Sequence, residues 1–164
     1  MKKIILFLFI GFASSCVSEK PKQFSKEVNL EMLIGLDNSK ITLGEIIYNH
    51  KGKKILIDVW ASWCKDCIIG FPRVKKIQEE FPDVVYLFLS ADISNSSWKR
   101  AVKKYNLVGE HYNLPKGMND GDFVDFINLG WIPRYMVIDE KGDITLFKAT
   151  KASDKNIRKA LLSL

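Results

Sequence analysis

The stretch ILIDVWASWCKDC, residues 55–67, decides the fold of this 164-residue chain. Its first half is apolar apart from one acid, which predicts a buried strand over 55–61. The residues after it fit a helix over 64–80, and a second apolar run predicts a strand over 84–90. Two strands joined by a helix indicate a parallel pair with a right-handed crossover. The chain is therefore predicted to be an α/β protein.

The two cysteines of this stretch point to disulfide exchange. Cys64 is expected at the helix N-terminus, where free backbone N–H groups and the helix dipole stabilise a thiolate. Cys64 would then attack a disulfide, and Cys67, one turn further on, would resolve it. A Cys-x-x-Cys pair can also be half of a zinc site, which needs two more ligands. The chain offers only Cys16, His50 and His111, none at ligand-pair spacing, so no metal site is predicted.

The N-terminus has the anatomy of an export signal. Residues 1–3 are basic, residues 4–12 are apolar, and small residues at 13–15 precede Cys16. The apolar run is too short for a permanent membrane span, but it suits a signal peptide. The small residues ending in Cys16 resemble a bacterial lipoprotein box, which implies cleavage before Cys16 and lipidation of that cysteine. An ordinary secretory signal with an incidental cysteine is the alternative.

Turn signals divide the rest of the chain into further elements. The predicted elements are an N-terminal β addition over 24–43, a helix over 44–49, a helix capped by Ser96 or Ser97 and ending near Asn106, hairpin strands over 135–139 and 143–149, and a helix capped by Asp154. Segment 108–130 is rich in aromatic residues. We expect it to be a packed connection with a short helix over 122–128. A partner-binding rim that includes Phe123 and Phe126 is the alternative.

Two phrases identify a family resemblance. Residues 59–64 read VWASWC, and residues 132–142 read IPRYMVIDEKG. This arrangement resembles the thioredoxin fold and, more closely, the membrane-tethered TlpA/ResA-type thiol–disulfide oxidoreductases of bacterial envelopes. The resemblance spans roughly Phe24 to Leu164. It implies a central mixed sheet flanked by helices, with an N-terminal β-hairpin extension. The domain plan is then a signal peptide over 1–15, the lipidated cysteine and a tether over 16–26, and a thioredoxin-like domain over 27–164.

The resemblance also implies roles for single residues. Cys64 would be the exposed nucleophile and Cys67 the buried resolving thiol. Asp58 would be the buried acid that accepts and returns the Cys67 proton. Pro133 would be the cis-proline of a loop facing the disulfide, where Ile132 offers its backbone to a bound substrate strand.

Two further residues near the cysteines, Trp63 and Arg134, complete the candidate site. Trp63 immediately precedes Cys64 and is assigned to substrate binding. Arg134 follows the proline, and a cation beside the cysteines would favour the thiolate. Many relatives have proline before the second cysteine, where this chain has Asp66, so no relative's reduction potential can be transferred.

The leading function is therefore an envelope enzyme that exchanges disulfides with client proteins, acting as a reductase or isomerase. Its expected partners are client thiols or disulfides, a membrane electron donor if it is reductive, and the membrane through its lipid; no cofactor is predicted. A formal charge of +6 without a nucleic-acid motif argues against nucleic-acid binding.

Two other classes remain open. A thiol peroxidase on the same fold would carry Pro and Thr where this chain has Ile57 and Ala61. A structural staple across Cys64 and Cys67 would stabilise little, because the loop it closes is short.

Overall fold

The computed structural model describes residues 20–163, which form a seven-stranded sheet with helices on both faces. The strands are β1 (Met32–Gly35), β2 (Lys40–Thr42), β3 (Ile55–Trp60), β4 (Val85–Ser90), β5 (Glu110–Asn113), β6 (Arg134–Ile138) and β7 (Ile144–Ala149). The helices are α1 (Lys26–Asn29), α2 (Leu43–Asn49), α3 (Lys65–Glu80), α4 (Asn95–Tyr105), α5 (Asp122–Phe126) and α6 (Lys155–Leu162).

The sheet is mixed, with the order β2-β1-β5-β4-β3-β6-β7. Strands β3, β4 and β5 run parallel, whereas β6 is antiparallel to β3 and β7 is antiparallel to β6. Strands β1 and β2 form an antiparallel hairpin that joins the sheet through β5. This architecture confirms the predicted thioredoxin-like fold with its N-terminal hairpin.

Two sets of helices cover opposite faces of the sheet. Helices α3 and α4 share one face, where the rings of Phe71 and Tyr105 lie 5.5 Å apart. Tyr135 of β6 reaches this face, because its hydroxyl lies against Gly70 of α3. The neighbouring Arg134 must point to the other face, and there it binds the chain just after α5. Strand β3 lies between both layers and is buried along its whole length.

Strand β5 was not predicted. Its four residues, Glu-His-Tyr-Asn, lack the β-branched pattern that identifies a strand in a sequence. Burial nevertheless alternates along it, since His111 and Asn113 are buried while their neighbours are half-buried. The parallel pairing with β4 therefore decides this conformation, and the segment's own propensity does not.

The aromatic side chains of helix α5, in the same segment, pack against the core, as expected. Phe123 is fully buried, and the Phe126 ring lies 5.5 Å from Phe24 and 5.9 Å from Phe147. Helix α5 ends at Phe126, two residues before the predicted end. These contacts disfavour a rim made of Phe123 and Phe126.

Helix α4 begins earlier than predicted. Ser94 is its N-cap, because the Ser94 hydroxyl accepts a hydrogen bond from Ser97 N–H. The prediction that Ser96 or Ser97 caps the helix was wrong, since both lie in its first turn. The Asp154 cap of α6 is confirmed.

The chain packs onto the domain before α1 begins. Phe24 is 8% exposed and contacts α5, and the Lys22 carbonyl accepts a hydrogen bond of 2.6 Å from Ile144 N–H. Residues 22–26, which the sequence assigns to the tether, thus contribute to the fold. Residues 1–15 and Cys16 lie outside the described residues. Between residues 20 and 163, no helix is long and apolar enough to cross a bilayer.

Asp58 is a buried acid in the middle of β3. It is 1% exposed, and neither carboxyl oxygen has a partner within ordinary hydrogen-bond geometry among the described residues. Burial raises the pKa of Asp58 to about 8, although the Tyr135 hydroxyl opposite it lowers this pKa somewhat. The uncharged acid is therefore the form that the fold favours.

The burial of Asp58 predicts that the stability of the folded protein decreases as the pH rises. The unfolded chain releases the Asp58 proton near its ordinary pKa of about 4, whereas the folded chain holds the proton up to about 8. The free energy of unfolding therefore loses about 1.4 kcal/mol per pH unit between these two values. Asp58→Asn removes this loss, so the variant should gain stability over the parent protein as the pH rises through that window.

Urea unfolding of the oxidised protein at about pH 5 and about pH 8 measures this difference. Asp83→Asn, which removes an exposed carboxyl, is the matched control. If the parent and Asp58→Asn proteins have the same pH dependence, the carboxyl is not perturbed by burial.

Candidate active site

The junction between β3 and α3 positions Cys64. Strand β3 ends at Trp60, and Cys64 N–H donates to the Ala61 carbonyl at 3.0 Å, which closes a tight turn. Cys64 is the N-cap of α3, in an extended backbone conformation. Its Sγ accepts a hydrogen bond of 3.1 Å from Cys67 N–H. A sulfur in this position receives the hydrogen-bond donors and the positive dipole end of the helix, as predicted.

Cys64 and Cys67 form a disulfide, with their Cα atoms 5.3 Å apart. The two sulfurs differ in their surroundings. Cys64 lines a surface groove and is 5% exposed, whereas Cys67 is fully buried beneath the first turn of α3. A partner that approaches from solvent therefore meets Cys64 first.

The groove over Cys64 has a volume of about 410 Å³, and its lining is mostly apolar apart from Lys65 and Asp66. Trp63 and Trp131 flank it with 59% and 62% of their surfaces exposed, and Met118 also lines it. Trp63 was predicted to be in the site, but Trp131 and Met118 were not assigned to it. The position of Trp131 beside Ile132 was a usable signal, while nothing in the sequence distinguished Met118.

The loop before β6 faces the disulfide. The Ile132–Pro133 peptide bond is cis, and the Ile132 carbonyl oxygen lies 3.7 Å from Cys64 Sγ. The side chain of Ile132 is buried, so the groove presents its backbone. The structure thus brings Ile132 and Pro133 next to the cysteines.

Arg134 lies elsewhere than expected. Its guanidinium is buried on the face of the sheet opposite α3, and it donates to the Ile127 carbonyl at 2.7 Å and to the Asn128 carbonyl at 3.4 Å. Burial lowers the pKa of Arg134. Since its side chain points away from α3, Arg134 supports the chain that leads to the proline loop and is not a cation beside the cysteines. The sequence could not show this, because the alternation of β6 decides the direction of the side chain.

A buried network that the sequence did not reveal fixes the turn before Cys64. The Asp92 carboxylate accepts from Ser62 N–H at 2.8 Å, from the Ser62 hydroxyl at 2.6 Å and from the Ser90 hydroxyl at 2.8 Å. Asn113 donates to the Ser90 and Asp92 carbonyls. These residues come from the adjacent carboxyl ends of β3, β4 and β5, so only the strand order shows that they meet.

Asp58 faces α3 from below. Its cross-strand neighbour Tyr135 touches Gly70, and Trp60, two residues further along β3 on the same face, packs edge-on against Phe71 at 5.3 Å. The carboxyl therefore lies under the first turns of the helix and is sealed from the groove.

The histidines take no part in this site. His50 Nε2 lies 2.7 Å from a Glu110 carboxyl oxygen, and His111 stacks on Phe88. Within residues 20–163, no group of three or more acidic, histidine or cysteine side chains is arranged to hold a metal ion.

Comparison with known proteins agrees with this geometry. Residues 52–144 match the family model described as thioredoxin-like. The chain is 35% identical over 141 residues to thioredoxin-like protein YneN of Bacillus subtilis, covering 84% of this chain and 76% of that protein. It is 26% identical over 147 residues to thiol-disulfide oxidoreductase ResA of Bacillus cereus, covering 86% and 80%.

A solved structure gives the same result. The solution structure of a candidate thiol-disulfide oxidoreductase from Bacteroides vulgatus superimposes with a TM-score of 0.65 at 27% identity, covering 79% of this chain and 82% of that one. The matched family model, these relatives and the Cys64–Cys67 disulfide agree: the chain belongs to the thioredoxin-like family and is a thiol–disulfide oxidoreductase.

Proposed function

We propose that this enzyme works in the bacterial cell envelope, anchored by a lipid on Cys16, and reduces or rearranges disulfides in client proteins. The observation that carries the proposal is the placement of Cys64, which caps a helix at the floor of an exposed aromatic groove. Such a groove suits a protein segment, because exposed tryptophan rings supply apolar contact area at a low cost in side-chain entropy.

The reaction begins with the reduced enzyme. The Cys64 thiolate attacks one sulfur of a client disulfide, and the other client sulfur leaves as a thiolate. The Cys67 thiol loses its proton to the Asp58 carboxylate, and its sulfur then attacks Cys64 Sγ. This step releases the second client thiolate and closes the Cys64–Cys67 disulfide. Two electrons have moved to the client, so a reductive cycle needs a donor that reopens the disulfide.

Asp58 suits this proton transfer. Its pKa of about 8 is close to the ordinary thiol value of about 8.5, so the proton can pass in either direction at little cost. An aspartate with an ordinary pKa would be a much weaker base. The carboxyl is also closed off from water, which keeps the transfer between these groups.

The loop of Ile132 and Pro133 is the proposed docking edge for the client backbone. The Ile132 carbonyl oxygen lies beside Cys64 Sγ and can accept an N–H bond from an extended client segment. Trp63 would contact the client's side chains from the other side of the groove. Arg134 contributes indirectly, by holding the chain that leads into this loop.

Both alternatives have less support. A thiol peroxidase would need a hydroxyl to orient the peroxide near Cys64, and Ala61 supplies none. A purely structural disulfide gives no reason for a buried, unpaired Asp58 under the same helix. A role in maturation of c-type cytochromes or in disulfide repair would fit the proposed activity.

The proposal predicts that Cys67→Ser will trap clients. Without the resolving thiol, the mixed disulfide on Cys64 persists. Expression of Cys67→Ser in cells should yield adducts that disappear when dithiothreitol is added before electrophoresis.

Cys64→Ser is the matched control, since it keeps one thiol but lacks the accessible one, and it should trap no clients. The absence of dithiol-sensitive adducts with Cys67→Ser would mean that protein disulfides are not the substrate.

The anchor makes a separate prediction. Cells fed a radiolabelled fatty acid should label the parent protein and Cys67→Ser equally, whereas Cys16→Ser should carry no label and should leave the membrane fraction. A parent protein without label would indicate an ordinary secretory signal.

A further inference from the structure

Tyr135 is a second buried polar group beside Asp58. The two residues are direct partners in the antiparallel pairing of β3 and β6, so their side chains share one face of the sheet. Tyr135 is fully buried and Asp58 is 1% exposed. Neither the hydroxyl nor the carboxyl has a partner within ordinary hydrogen-bond geometry among residues 20–163. Two unpaired polar groups side by side in a core are costly unless they serve each other.

The hydroxyl of Tyr135 also reaches the active-site helix. It lies 3.1 Å from the position that a Cβ would occupy at Gly70. Gly70 follows Cys67 by three residues, so the two lie on the same face of α3, one turn apart. The missing side chain at Gly70 leaves the space that the hydroxyl occupies. The phenol therefore lies beneath the helix turns that carry Cys67.

The other groups around Asp58 offer no competing charge. Strand β4 presents Phe88 in register with Asp58, and the loop before α6 presents the buried Ala152. Two further titratable groups on this face are engaged elsewhere: the Tyr86 hydroxyl contacts carbonyls at the far end of α3, and His111 of β5 stacks on Phe88, where burial lowers its pKa and favours the neutral ring. Cys67 of α3 and Tyr135 of β6 are the remaining buried titratable groups on this face. Burial and the neighbouring carboxyl hold the pKa of Tyr135 well above its usual value, so its phenol keeps its proton and is available as a hydrogen-bond donor.

We propose that Tyr135 is a positioning residue for thiol–disulfide exchange: its hydroxyl donates a hydrogen bond to the Asp58 carboxylate and steers that group to take the proton of Cys67. This inference rests on the proposed role of Asp58. The Cys67 proton moves to a carboxyl oxygen, the Cys67 sulfur bonds to Cys64, and the client thiolate leaves. Tyr135 keeps its own proton throughout.

Tyr135→Phe removes the donor without changing the ring. The Asp58 carboxylate then lacks its stabilising hydrogen bond, so its pKa rises further. Losing a hydrogen bond to a charged group can change the pKa of that group by about one unit or more. The pH profile of the step that depends on Cys67 should therefore shift to higher pH by about that amount. At pH values below the shifted rise of this profile, the rate of the step should be about tenfold lower than in the parent protein.

The experiment uses the full chain with Cys16→Ser in every variant, so that Cys64 and Cys67 are its only thiols. Reduced protein is mixed with Ellman's reagent in a stopped-flow instrument from about pH 5 to about pH 10. The first release of thionitrobenzoate reports attack by Cys64, and the second reports attack by Cys67 on the mixed disulfide. Tyr135→Phe should shift the second phase and leave the first unchanged.

Tyr86→Phe is the matched control. Tyr86 is another buried tyrosine on the same face, but its hydroxyl lies 2.9 Å from the Ile77 carbonyl and 3.0 Å from the Phe81 carbonyl, at the far end of α3, and donates its one proton there. The Tyr86→Phe variant should be somewhat less stable than the parent protein, but the pH profiles of both phases should be unchanged. Gly70→Ala is the second test variant, because its Cβ crowds the Tyr135 hydroxyl and should shift the second phase in the same direction.

The double variant Asp58→Asn/Tyr135→Phe separates the two claims. If Tyr135 acts through Asp58, the double variant should have the same second-phase pH profile as Asp58→Asn alone. A shift in Tyr135→Phe no larger than in Tyr86→Phe, or an effect that persists without Asp58, would overturn the role of Tyr135. A second phase that Asp58→Asn leaves unchanged would overturn the role of Asp58, and this inference with it.

Discussion

The rest of the site is arranged around the hydrogen bond from Cys67 N–H to Cys64 Sγ. This bond forms because α3 begins directly after the turn that follows β3. Because the strand ends and the helix begins within four residues, the sulfur becomes the helix cap in place of a hydroxyl or carboxylate. The same junction places Cys67 one turn deeper, inside the core. One backbone feature thus separates an accessible sulfur from a buried one.

Three buried ionisable side chains surround this junction, and they differ in how well they are paired. Asp92 accepts three hydrogen bonds, two from Ser62 in the turn before Cys64 and one from Ser90 at the end of β4, which is the pattern of a structural anchor. Arg134 is partly paired with backbone carbonyls and supports the proline loop. Asp58 has no partner within ordinary hydrogen-bond geometry among residues 20–163, and its free energy cost grows with pH. The proposed proton transfer between Cys67 and Asp58 would account for this cost.

Much of this arrangement could be predicted from the sequence, because local signals were strong where they mattered. The apolar run of β3 and the cysteine spacing predicted the central unit and the cap, and the Ile132–Pro133 phrase predicted the loop opposite. Strand β5 was not predicted, because its extended conformation depends on pairing with β4 and its own residues have no strand pattern. The direction of Arg134, the Asp92 network and the Tyr135–Asp58 pair also escaped detection, since each depends on which strands are neighbours and which face a side chain takes.

The most direct test of the account is the reduction potential of the Cys64–Cys67 pair in the full chain with Cys16→Ser. Trp63, adjacent to Cys64, offers a fluorescence signal during titration against dithiothreitol or glutathione. The account predicts a reversible two-electron transition between about −270 mV, as for a reductant, and about −180 mV, as for an isomerase. A potential near about −120 mV would indicate an oxidase instead, and the absence of a reversible transition would contradict redox function at this pair.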